Sequence, residues 1–178
     1  MKECRNLNYS GLKKYDIANG DGVRISLFVS GCENHCPGCF NPKTWDTCYG
    51  DKFTKNTLQE IIDFLGNPYI SGLSLLGGDP MLHVNQECVA EIVKTVKAAY
   101  PDKTIWMWTG YTLPELLDES QPCHTQYTEE ILKHVDVVVD GRFVQELKMP
   151  GLKYKGSSNQ RVLVMKDGVP VGRLDEEV

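Results

Sequence analysis

The chain has 178 residues, 41% of them apolar and 24% charged, which is enough for one soluble domain with a real core and tight for two. A formal net charge of -5 and the lack of any long Lys/Arg run exclude nucleic acid as the first partner and leave no basic patch for a membrane surface. No stretch approaches the ~18 apolar residues of a membrane span, and with a polar start over 1–9 a cytoplasmic address is expected.

The whole chain, 1–178, reads as one domain with 1–22 as an N-terminal extension. Residues 23–30 (V-R-I-S-L-F-V-S) are β-branched and aromatic and stop at Gly31, which predicts a strand running into a cysteine loop. Thr57-x-x-Glu60 has capping-box spacing, and Leu58, Ile61, Ile62 and Leu65 share a helical face before Gly66 and Pro68 end it. A short buried strand is predicted over 72–77, then a helix over 86–100 on Val89, Ile92, Val93 and Val96, stopped by Pro101.

Residues 104–109 (T-I-W-M-W-T) predict the next strand, 128–134 the better part of a broken helical stretch, and 135–139 the most apolar strand. The segment 143–178 is less regular, with a strand over 161–165 and a turn at 166–168 into 169–172. Strands alternating with helices predict an α/β domain with a largely parallel sheet, whose functional loops gather at the carboxyl ends of the strands.

Seven cysteines is an odd count, and three of them fall within 32–39, which suits a metal site in a reducing compartment better than a disulfide framework. Residues 31–41 read G-C-E-N-H-C-P-G-C-F-N, so Cys32, Cys36 and Cys39 stand at C-x3-C-x2-C in a tight loop. A 4Fe-4S cube held by three thiolates leaves one iron free of protein ligands, where a substrate can bind. A structural zinc site with His35 or Cys48 as fourth ligand also fits the spacing. Cys88 reads as core packing, while Cys4, Cys48 and Cys123 are exposed thiols or a second metal site.

Gly77-Gly78-Asp79-Pro80 follows the second strand; paired glycines admit a ligand to the backbone and a carboxylate pairs with an ammonium, although the same residues make an ordinary turn. The C-x3-C-x2-C loop after a strand ending in Gly, followed by G-G-D-P, resembles the radical S-adenosylmethionine (SAM) superfamily. N-G-D-G-V-R at 19–24, C-P-G-C-F-N-P-K-T-W at 36–45, W-T-G-Y at 108–111, D-V-V-V-D-G-R-F at 136–143 and G-S-S-N-Q-R at 156–161 look like the small activases of class III ribonucleotide reductases.

This resemblance implies an incomplete, or partial, β/α barrel of radical SAM type, with a 4Fe-4S cluster on Cys32, Cys36 and Cys39. SAM would meet Gly77, Gly78 and Asp79 through its amino group and the backbone of Gly38, Cys39 and Phe40 through its adenine. Thr109, Gly110 and Asp140, at predicted strand ends on the same rim, are second-tier candidates for contacts with SAM or with the partner.

The implied reaction cleaves SAM reductively and leaves a glycyl radical on an anaerobic ribonucleoside-triphosphate reductase, with electrons from a donor such as flavodoxin and no general acid or base. Two positions depart from the wider superfamily: Gly38 stands where an aromatic is common and Asp79 where Glu is. Arg24, Arg142 and Arg161 are candidates for the SAM carboxylate, for the reductase or for plain solvation. A small-molecule radical SAM enzyme such as 7-carboxy-7-deazaguanine synthase, a zinc-stabilised interaction module and a ferredoxin-like carrier are the competing readings.

Overall fold

The computed structural model describes residues 7–175. Its frame is one eight-stranded sheet in the order β3-β1-β2-β4-β5-β6-β7-β8. The strands are β1 (Asn8–Asp16), β2 (Val23–Val29), β3 (Asp51–Lys52), β4 (Ile70–Gly77), β5 (Thr104–Trp108), β6 (Val137–Asp140), β7 (Arg161–Lys166) and β8 (Val169–Arg173).

The centre, β2-β4-β5-β6, is parallel, whereas β1 and β3 on one side and β7 and β8 on the other pair antiparallel. The expected largely parallel sheet is therefore a mixed one, parallel only where helices cross between strands. The region expected as an N-terminal extension supplies β1, which lies against β2 with two register shifts. Cys4 lies outside the described residues.

Helices α1 (Lys55–Leu65), α2 (Gln86–Ala99), α3 (Leu113–Leu117) and α4 (Thr128–His134) all contribute to one core. In it Leu58, Ile61, Val89, Val93, Leu116 and Ile131 meet Ile25, Leu27, Leu73, Leu75, Met107 and Val138 from one face of the sheet. The capping box of α1 is one turn earlier than its sequence suggests: Thr54 is the N-cap, and it exchanges bonds with Thr57. Among the described residues no helix is long and apolar enough to cross a membrane.

Among the described residues the opposite face carries no α-helix. It holds Arg24, Ser26 and Ser74, all fully buried, and a small cluster of Trp106, Val137, Val139 and Val162 against Trp108, Tyr154 and Leu174. Arg24 is neither a ligand nor a solvated charge, as the sequence suggested. It donates to Ser74 Oγ (2.8 Å), Leu73 O (2.9 Å), Asp21 O (3.2 Å) and both oxygens of Thr104 (2.8 and 2.9 Å), tying β2 to β4 and β5, and lies over the Trp106 ring.

Among the described residues no carboxylate hydrogen-bonds to this guanidinium, and burial lowers its pKa to about 10. Arg24→Met is expected to lower stability by about 3 kcal/mol, since several buried acceptors lose a charged donor at once. A urea denaturation series measures this, and Arg24→Lys is expected to recover little because an ammonium cannot span these acceptors.

Candidate functional site

Four loops leave the carboxyl ends of the parallel strands and meet on one rim. The first runs from Ser30 through the cysteines and is pinned by backbone: Gly31 N donates to Thr44 O (2.7 Å), Cys32 N to Trp45 O (3.2 Å) and Cys39 N to Cys36 O (3.0 Å). The second, after β4, crosses it directly, with Gly78 N on Val29 O (2.7 Å) and Asp79 N on Gly31 O (2.8 Å). A Cβ on Gly78 would stand 2.5 Å from Gly31 O, so this glycine is demanded by two backbones in contact.

Cys32, Cys36, Cys39, Gly77, Gly78 and Thr109 line one cavity of about 510 Å³, with Phe40 at its edge. Seven of the expected cofactor and metal residues, Phe40 included, thus come from three strand ends to a single space. Gly38, at a φ of +74°, lies beside it against the Gln145 side chain. Phe40 is 95% exposed, with Lys148 Nζ 5.7 Å from its ring centre.

Asp79 behaves differently from the expectation. Its side chain is 1% exposed and absent from the cavity wall, and four donors surround it: Met81 N (2.9 Å), Gly110 N (2.9 Å), Asn34 Nδ2 (2.9 Å) and the Thr109 hydroxyl. Burial outweighs these donors and raises its pKa to about 6. Burial and then the Asp79 charge push the Cys32 thiol up to about 11.

The thiols line a space large enough for a cluster, and Trp45, on the same wall, has a buried Nε1–H without a partner, a donor suited to an anionic centre. Among the described residues no three His, Cys, Asp or Glu side chains are grouped to hold a single metal ion. The His35 ring instead packs against Trp45 at 4.6 Å, and Cys48 is exposed. A cube differs from a single ion in that each thiolate binds its own iron.

Other sequence candidates have structural partners. Asp140, 1% exposed, accepts from Leu113 N (2.8 Å) and pairs with Arg161, while Arg142 pairs with Glu115 at 2.9 Å. Cys123 is buried in the main core, as is Cys88, so the exposed or metal-binding reading of Cys123 does not hold.

Sequence reasoning missed the residues that hold the loops together. Asn85 Nδ2 donates to both Ser30 O and Asp79 O at 2.9 Å. Gln160 accepts from Gly156 N (2.8 Å) and donates to Gly141 O (2.8 Å), fixing an irregular strap over 143–160 on which Trp108 Nε1 also bonds Tyr154 O (2.7 Å). The G-S-S-N-Q-R run was the only signal for this strap.

Residues 18–163 match the model of a family described as a 4Fe-4S single cluster domain. Among curated relatives, a protein from Vibrio cholerae is 46% identical over 86% of this chain and 96% of its own length. One from Enterobacteria phage T4 is 40% identical over 92% and 97%, and one from Escherichia coli strain K12 is 42% identical over 88% and 97%. All three are named anaerobic ribonucleoside-triphosphate reductase-activating protein.

The Asp79 carboxyl provides a pH test. Because its folded pKa, about 6, exceeds the ordinary 3.8, the folded state binds the extra proton between those values, so stability falls as pH rises from about 4 to 6 and stays lower above. Two pKa units correspond to roughly 3 kcal/mol as an upper figure. Denaturation midpoints across this window are expected to decline for the parent, whereas Asp79→Asn, less stable at low pH through its lost acceptors, shows no such decline.

Proposed function

The chain belongs to the family of anaerobic ribonucleoside-triphosphate reductase-activating proteins, and from that premise we propose how its own residues carry out the activation. It is an enzyme that activates its reductase from a 4Fe-4S domain by installing a glycyl radical. Cys32, Cys36 and Cys39 hold the cluster, and SAM occupies the rest of the cavity. The observation that carries this reading is the convergence of three thiols, the Gly77-Gly78 backbone and Thr109 on one space of about 510 Å³.

When bound there, the reduced cluster supplies the electron that breaks a sulfur–carbon bond of SAM. The chain itself binds, orients and excludes water. Both Asp79 oxygens already accept from protein donors, so the SAM ammonium meets the Gly77-Gly78 backbone and feels the Asp79 charge from beneath. Gly38, Cys39 and Phe40 offer backbone groups to the adenine.

The open sheet, with helices on one face and the cavity at the strand ends, supports a partial β/α barrel of radical SAM type. Phe40 and Met149, 95% and 54% exposed, border the cavity and give its mouth an apolar rim suited to a protein segment rather than a small polar substrate. The partner is the anaerobic ribonucleoside-triphosphate reductase, with a reducing donor such as flavodoxin, in the cytoplasm and without nucleic acid.

Iron-reconstituted protein, incubated anaerobically with SAM and dithionite, is expected to release 5'-deoxyadenosine and to give a glycine-centred paramagnetic doublet only when the reductase is present. Cys36→Ala is expected to abolish both signals. A colourless, zinc-loaded protein that leaves SAM intact would overturn the proposal.

A further inference from the structure

Asn34 lies between two of the cluster cysteines, half-buried on the cavity wall, and belongs to no ligand pattern. Its Nδ2 is 3.7 Å from Cys32 Sγ and 2.9 Å from Asp79 Oδ2. An ionised carboxylate only accepts hydrogen bonds, so the amide must turn its NH2 group toward Asp79, and that group's second N–H then serves the sulfur. Gly110 approaches so closely that a Cβ there would overlap the Asn34 amide, which holds the side chain in this orientation.

We infer that Asn34 is a positioning residue that tunes the cluster, by donating to the Cys32 thiolate while standing between it and the buried Asp79 carboxylate. The inference rests on the cluster assignment proposed above. Reduction adds negative charge to the cluster and its thiolates. An N–H aimed at a sulfur stabilises the reduced state, and a neighbouring carboxylate opposes it. Asn34 supplies the first and shields the second with a single group.

Without that amide, the Cys32 sulfur keeps the Asn34 backbone N–H as a donor but has no side chain between it and Asp79. The cluster then becomes harder to reduce, although all three thiolates remain. Packing alone would give a different result: loss of Asn34 would lower thermal stability and iron occupancy without moving the potential of the clusters that do form.

The test is the midpoint potential of the reconstituted protein, followed by the paramagnetic signal of the reduced cluster, for the parent, Asn34→Leu, Asn34→Asp and Gly110→Ala. Asn34→Leu is expected to lower the reduced fraction at fixed potential about tenfold, equivalent to ~59 mV for a one-electron couple. Asn34→Asp, which also adds a charge, is expected to shift it further in the same direction.

Gly110→Ala keeps Asn34 but displaces it, and is expected to move the potential the same way; it decides the matter if Asn34→Leu assembles no cluster. Potentials equal to the parent's in Asn34→Leu or, failing its assembly, in Gly110→Ala overturn the inference, and if the parent still cleaves SAM the proposed function survives. A parent that holds no 4Fe-4S cluster overturns both.

Discussion

The buried carboxylate of Asp79 organises the carboxyl rim. It is held 1% exposed, without a cation among its hydrogen-bond donors, by groups from the cysteine loop, from its own turn and from the loop after β5. An acceptor this deep is tolerated only because its donors are all present, so each loop fixes the position of the others. The cysteine loop is short of regular structure, and its geometry is inherited from this junction and from the Gly31–Gly78 contact.

The parallel centre of the sheet was legible in the sequence because β6 reads as an unbroken apolar run and β2 and β4 stay rich in Val, Ile, Leu and Phe despite Arg24, Ser26 and Ser74. β1 was not. Only its last residue is buried and it is interrupted by two register shifts, so its composition resembles that of a polar extension. The cap of α1 was misplaced because Thr57 satisfies the pattern from inside the helix as readily as Thr54 does from its end.

The site was legible by residue type and less so by direction. C-x3-C-x2-C and Gly-Gly-Asp-Pro identify which residues gather, but no sequence pattern tells whether a carboxylate faces a cavity or lies behind its wall. Asp79 lies behind it, 1% exposed and hydrogen-bonded to the surrounding loops. Arg24 shows the same gap in reverse: a charged residue is expected outside, and its burial follows from neutral acceptors on two other strands that become its partners only after the sheet forms.

Placing every helix on one face of the sheet has a consequence for the other. That face must be covered by something, and its buried Ser26, Ser74 and Arg24 leave it too polar to pack a fifth helix against a conventional apolar layer. Residues 19–21 cover Arg24 and Ser74, with Asn19 O accepting from Ser74 Oγ, and the strap over 143–160 covers the Trp106 cluster, gripped by Gln160 at one end and by Trp108 through Tyr154 O. Because the strap is irregular and its middle is exposed, it closes the face only partly, and the cavity keeps an open side at the strand ends. In the proposed activation that open side is where a glycine of another chain enters, so the incomplete cover and the need for a protein substrate are two aspects of one architecture.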